Sequence, residues 1–293
     1  MSNKLLNDQC LFQFNIFNFK MRYLHLLFVP ILSYTQISIS TTNLPKELEE
    51  TSGLEFYGEN YITHNDSGDK AKVYVFNSKG KIVKSIRLYD LKNEDWEDIA
   101  ADSNHYYIAD TGNNKGNRKN LKIYILSSNF DLEGEINIKY KGQNDFTERA
   151  IHPFDAEALT VYGDSLLLFS KNRKTLKSEI YIFPKTTGNY NINPQAVLNV
   201  NSLITAADYN EEYDLLVLTG ENFVGDQFFY SVTNFKKNGW RSFNLIKYKI
   251  PIGGAQIEAV KIINENKFIL TSEKVKNKLA RFIFLVIDKK VIF

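Results

Sequence analysis

Short runs of β-branched and aromatic residues alternate with turn residues along most of the chain. Val73-Tyr74-Val75-Phe76, Leu121 to Leu126 (LKIYIL), Ile180-Tyr181-Ile182-Phe183 and Phe228 to Val232 are such runs. Each fits a pleated, half-buried strand. Extended stretches of Ala, Leu, Glu and Lys at a 3.6-residue period are missing, so little helix is expected. The runs come in rounds of four. A round opens at an acidic or hydroxylated residue: Ser52, Glu97, Glu157, Thr205 and Glu258. The gaps between these positions are 45, 60, 48 and 53 residues. A four-strand unit at that period predicts the blades of a β-propeller. The expected fold is therefore all-β, with five four-stranded antiparallel blades, or six if one blade is degenerate. The competing architecture is an open sandwich of evenly spaced strands.

Details sharpen the expectation. The long gap is accounted for by a polar insertion, Lys141 to Phe154, expected to be a loop. Ile37 to Thr42 (ISISTT) reads as a strand that supplies the outer edge of the last blade and latches the ring. Closing a ring removes exposed strand edges. The last round also contains Arg281 to Ile287 and a short run, Val291 to Phe293, read as a separate final strand.

The N-terminus is set aside from the fold. Met21-Arg22 opens a basic segment, Leu26 to Leu32 is apolar, and Ser33 to Gln36 is small and polar. That is the layout of a secretory signal, with Met21 as the start and cleavage expected near Thr35 or Gln36. The apolar run is too short to span a bilayer, and Pro30 interrupts it. Residues 1–36 are read as a leader and residues 37–293 as one propeller domain, monomeric and secreted or periplasmic. The chain holds 36 basic and 34 acidic residues; the leader takes Lys4, Lys20, Arg22 and Asp8. The remainder is neutral, which gives no electrostatic case for a nucleic-acid partner. The single cysteine, Cys10, leaves with the leader, so neither a disulfide nor a catalytic thiol is expected.

Candidate chemistry follows from the repeat. Innermost strands line a propeller's channel, so the five opening residues should form a ring at one mouth. Like charges at close range demand a cation or a bound proton. A hard divalent cation, Ca²⁺, held by Glu97, Asp98, Glu157 and Glu258 is one answer, with Asp155 and Asp208 in reserve. Structural use of these carboxylates as caps and ion pairs is the other. A second set follows each second strand: Asn65 and Asp66, Asp110, Lys171, Glu221 and Glu273. Asn65, Asp66, Asn114, Arg118, Lys171 and Glu273 are candidate ligand contacts. Ser67, Gly68 and Gly112 are read as turn residues, the glycines supplying a special φ. His64 and Asp110 are the candidate acid–base groups, weighed against roles in their turns. His105 and His152 read as loop residues. Trp96 should point away from the ring into the core, and Trp240 should lie on an exposed turn. The chain lacks a Gly-x-Ser-x-Gly elbow and a phosphate loop ahead of a helix, which argues against nucleotide-dependent chemistry.

Five motifs in order carry a resemblance: Glu50-Thr51-Ser52-Gly53-Leu54, His64-Asn65-Asp66-Ser67-Gly68, Asp95 to Ala100 (DWEDIA), Ala109 to Asn114 (ADTGNN) with Arg118, and Phe154 to Leu159 (FDAEAL). Across residues 44–275 the chain resembles a family of secreted bacterial β-propeller-like proteins, some of which carry a C-terminal sorting domain. This chain ends at Phe293 without one, so surface anchoring is not expected. The resemblance implies fold and export and assigns no activity. The wider likeness of such propellers to calcium-dependent lactonases, phosphotriesterases and phytases implies metal-assisted hydrolysis of esters, lactones or phosphoesters. Three functions therefore stand open: a Ca²⁺-dependent binder of a small molecule, glycan or peptide; a Ca²⁺-dependent hydrolase; and a metal-free scaffold.

Overall fold

A computed structural model describes residues 32–239 and 243–292. Residues 1–31, with Cys10 and all but the end of the expected signal segment, and Trp240 lie outside the described residues.

The chain begins with β1 (Leu32–Asn43), which is not spent on the first blade. Blade one is β2 (Thr51–Tyr57), β3 (Asn60–Asn65), β4 (Lys72–Phe76) and β5 (Ile82–Arg87). Blade two is β6 (Asp98–Ala101), β7 (His105–Asp110), β8 (Lys122–Ser127) and β9 (Leu132–Tyr140). Blade three runs from β10 (Ala156–Tyr162) through β11 (Ser165–Ser170) and β12 (Ser178–Pro184). The next strand, β13 (Gly188–Ile192), crosses to pair in parallel with β9, and β14 (Pro194–Leu198) returns to complete blade three. Blade four is β15 (Leu203–Asn210), β16 (Leu215–Glu221), β17 (Gln227–Thr233) and β18 (Leu245–Ile250). Blade five is β19 (Ile257–Asn264), β20 (Lys267–Ser272) and β21 (Arg281–Ile292), with β1 as its fourth strand. The ring has five blades.

The latch is as expected. β1 pairs antiparallel with β21 from Leu32↔Ile292 to Asn43↔Arg281. The pairs from Ile37↔Ile287 onward do not involve residues 32–36. Two expectations need correction. Val291 is not in a separate final strand, because β21 continues unbroken to Ile292 along the whole length of β1. The extra strand on blade two was not foreseen, since Gly188–Ile192 carries no strong apolar alternation. Residues 141–155 hold no strand, in line with the loop reading.

The core lies between blades, and the strand pattern shows why. β11 reads Leu166-Leu167-Leu168-Phe169, apolar on both faces. Leu166 and Leu168 pack with Tyr107 and Ile123 of blade two, whereas Leu167 and Phe169 pack with Leu216 and Tyr230 of blade four. A middle strand sandwiched by two neighbours needs both faces apolar. Trp96 is fully buried between blades one and two, its ring edge-on to His64 at 5.4 Å. Its indole N–H donates to Lys92 O.

Candidate functional site: an acidic channel mouth

Each innermost strand is distorted at the ring position. β10, β15 and β19 slip register between Ala156 and Ala158, Ile204 and Ala206, and Ile257 and Ala259. The slipped residues are Glu157, Thr205 and Glu258. β2 slips between Ser52 and Glu55. In blade two the Glu97 N–H donates to Ala109 O, the residue that also faces Asp98. A bulge adds one residue and re-aims its side chain. In blades one, two, three and five the residue at this position, Ser52, Glu97, Glu157 or Glu258, reaches the channel mouth.

The result is a cavity of about 240 Å³ at one mouth. Its walls include six carboxylates, Asp66, Glu97, Glu157, Glu221, Glu258 and Glu273, with Ser52, Asn114 and Gln256. Two cations, Lys171 and Arg173, face them. The cations are already committed. Lys171 Nζ lies 2.5 Å from Glu157 Oε2 and 4.0 Å from Glu221. Arg173 pairs with Asp155, reaches Glu157 at 3.5 Å and donates to Asn114 Oδ1 at 2.7 Å. The positive side of the mouth belongs to blade three.

The opposite wall is uncompensated. Glu97 and Glu273 are only 6% and 8% exposed, yet among the described residues neither carboxylate makes a hydrogen bond or an ion pair. Glu258 accepts from Gln256 Nε2 at 2.9 Å. The oxygens of Glu273, Asp66 and Glu50 come within 4.8 Å of one another. Burial, and then the charge of Glu258, Asp66 and Glu50, pushes the Glu273 carboxyl up to about 10. Burial followed by Glu157 and Asp95 raises Glu97 well above the ordinary range. Glu258 is raised by burial as well, although Lys171 opposes the shift. Glu157 rises to about 7, burial outweighing the Lys171 ammonium.

The predicted residues divide between this mouth and the frame around it. Glu97, Glu157 and Glu258 meet at the cavity, joined by Asp66, Asn114, Lys171 and Glu273. Asp98 is turned elsewhere: its carboxylate accepts from the N–H groups of Ile99 and Leu159, both at 2.8 Å, and so fastens blade two to blade three. Asp208 does the same for blades four and five through the Ile262 N–H, and Glu55 for blades one and two through the Ala101 N–H. Lys261 lies between Glu55 and Asp208, at 2.5 and 2.9 Å. Thr205 donates to Ile257 O and is absent from the cavity wall.

Arg118 and Asp110 form a clasp. Arg118 donates to Asp110 Oδ1 at 2.8 Å and to Gly112 O at 2.7 Å, closing the turn between them. Asn65 donates to Glu47 O and Asp69, away from the cavity. His64 is fully buried beneath Trp96, its Nδ1 3.2 Å from Asn65 O. Burial pushes its pKa down to about 4, so it is neutral at physiological pH. Gly68 takes a positive φ of 76°, as a turn glycine should. Gly112 does not; a Cβ there would meet Glu97 Oε1 and the Asp95 carboxylate, which would have to move aside.

Sequence reasoning missed Arg173 and Glu50. Arg173 stands two residues after Lys171 in Lys171-Asn172-Arg173-Lys174, off the register of the residues that follow the second strands. Glu50 stands two residues ahead of Ser52 in the turn after the short 3-10 helix Lys46–Leu48, exposed beside the mouth with an oxygen within 4.8 Å of Asp66 and Glu273. An aligned window rather than an aligned column would have found both.

Comparison with protein-family models and with curated proteins found no match. Solved structures are similar in fold. The PQQ-bound form of aldose sugar dehydrogenase from Streptomyces coelicolor matches at TM-score 0.51 and 10% identity, over 86% of this chain and 99% of that one. The RRP9 WD40 repeats match at TM-score 0.42 and 11% identity, over 81% of this chain and 67% of that one. At 10% identity the likeness to the sugar dehydrogenase is one of fold alone. Among the described residues, no helix is long and apolar enough to cross a membrane.

Proposed function

We propose that the protein is a calcium-dependent binding module, its Ca²⁺ held at the channel mouth between blades five and one. Glu273 carries the reading. It is buried, unpartnered among the described residues and surrounded by Glu258, Asp66 and Glu50. A buried carboxylate without a partner is costly, and a hard cation with oxygen ligands removes that cost. Ca²⁺ takes oxygens at 2.3–2.6 Å, so two on opposite sides stand about 5 Å apart. The 4.8 Å spread of Glu273, Asp66 and Glu50 fits that ion. Relative to the sequence expectation, the proposed ion moves toward Glu273. Glu157 is engaged by Lys171 and Asp98 by backbone N–H groups, while Glu97 and Glu258 complete the wall.

A small polar ligand would bridge the ion and the Lys171, Arg173 and Asn114 side of the mouth. The cavity size favours a small molecule, or the tip of a glycan or peptide. Export by the segment at 21–36 belongs to this proposal, because extracellular calcium modules work at roughly 0.1–1 mM.

Hydrolysis is less well served. His64 is sealed away from the cavity and Asp110 is clasped by Arg118. PQQ, which occupies the sugar dehydrogenase, does not fit here: it is a tricarboxylate, and this mouth sets six carboxylates against two paired cations. A metal-free scaffold would instead keep Glu97, Glu258 and Glu273 protonated. Elemental analysis after dialysis against Ca²⁺ separates these readings. About one calcium per chain, lost in Glu273→Gln, supports the module; no calcium in the wild type supports the scaffold.

A further inference from the structure

A second cavity lies away from the mouth, on the rim of blade two; it holds about 750 Å³ and is about three times the size of the acidic mouth. Its walls come from the two departures from the blade pattern. One is the loop after β9, which contributes Lys141, Gln143, Asn144 and Phe146. The other is β13, whose Asn191 faces Lys139 in the parallel pairing with β9.

The electrostatics are the reverse of those at the mouth. Four cations line the cavity, Arg118, Lys119, Lys139 and Lys141, and no carboxylate does. Arg118 is spoken for by Asp110 and Glu94. Lys119, Lys139 and Lys141 are exposed and without an ion-pair partner among the described residues. The whole chain carries a net charge of only +2, so a general excess of base does not explain this concentration. Between the cations the wall is apolar: Leu121, Ile138, Tyr140 and the ring of Phe146. Lys119 already stands 5.0 Å above that ring.

We infer that this cavity binds a small amphipathic organic anion, with a carboxylate, sulfate or phosphate on the three unpaired lysines and an apolar or aromatic body against Phe146, Leu121 and Ile138. The volume lies within the range of ligand pockets, and apolar walls with a few convergent charges are their usual composition. Charge-assisted hydrogen bonds to the ammonium groups would fix the anionic end, and Phe146 would stack on the body. The inference is independent of calcium at the mouth.

Titration of the full chain with naphthoate, its neutral analogue naphthamide and inorganic phosphate tests it, by calorimetry or ligand-observed NMR. Naphthoate should bind saturably, and naphthamide and phosphate should each bind about tenfold more weakly or worse. Lys141→Glu and Phe146→Ala should each weaken naphthoate about tenfold, with unchanged melting temperature for the exposed Lys141→Glu. Glu273→Gln should leave naphthoate binding as it is. The inference is overturned by an absence of saturable naphthoate binding, by naphthamide or phosphate binding as tightly, or by Lys141→Glu binding like wild type.

Discussion

Lys171 Nζ lies 2.5 Å from Glu157 Oε2, with both side chains buried at the channel mouth. Burial disfavours the ammonium, but Glu157, Glu258 and Glu221 more than reverse this and raise the Lys171 pKa. The pair gives blade three the positive half of the mouth, leaving the carboxylates of blades five and one for another cation.

Removing half of this pair should cost more than removing all of it. Lys171→Met leaves Glu157 buried with Arg173 alone, at 3.5 Å, and should destabilise by about 3 kcal/mol, the low end for a broken buried pair. The double variant Lys171→Met, Glu157→Gln should recover most of the loss. Urea unfolding measures both; a single variant within about 1 kcal/mol of wild type would show the pair to be dispensable.

Stability should depend on pH in an unusual direction. The folded-state pKa values of Glu157 (about 7) and Glu273 (about 10) lie above the ordinary carboxylate range. Between the unfolded and folded values the native state therefore holds more protons. Their stabilising effect is complete below about pH 4.5 and is lost as pH rises through the folded values. Chelator-treated protein should melt at a lower temperature at pH 8 than at pH 5, with an unfolding free energy lower by a few kcal/mol. Saturating Ca²⁺ should flatten the profile. A chelated protein whose melting temperature is level or rises over this range contradicts the assignment.

Asp98 should prove a fastener. Asp98→Ala leaves the Leu159 N–H without its acceptor and should cost about 1–3 kcal/mol. Calcium content per folded chain should stay unchanged. Loss of calcium at full stability would return Asp98 to the ion.

Gly112→Ala tests the close approach of Glu97. The added methyl meets the ends of the Glu97 and Asp95 side chains, which must swing aside, so a loss of up to about 1 kcal/mol is expected, by chemical denaturation. Wild-type stability in this variant would mean that Glu97 is not held against residue 112.

Much of this architecture is written in local pattern. Blade number follows from the spacing of Ser52, Glu97, Glu157, Thr205 and Glu258, because each round must bury two faces and so repeats the same apolar runs. The latch is visible in ISISTT for the same reason. Direction of side chains is less visible. Glu97 and Asp98 are neighbours with the same chemistry, yet the backbone slip at Glu97 sends one to the cavity and the other to Leu159 N. His64 and Asp66 are two residues apart, and only the second reaches the cavity. Contacts across blades, such as Arg173 with Asn114, depend on loop geometry that spacing does not encode. The crossing of β13 to β9 carries no periodic signal at all.

Calorimetric titration with Ca²⁺ at pH 7, in two buffers of different ionisation enthalpy, reaches the central claim most directly. Ions binding to carboxylates with raised pKa values must displace protons. Saturable binding at roughly 0.1–1 mM with proton release, absent in Glu273→Gln, is the predicted result. No saturable heat in the wild type up to about 10 mM, or equal binding by Glu273→Gln, would contradict it.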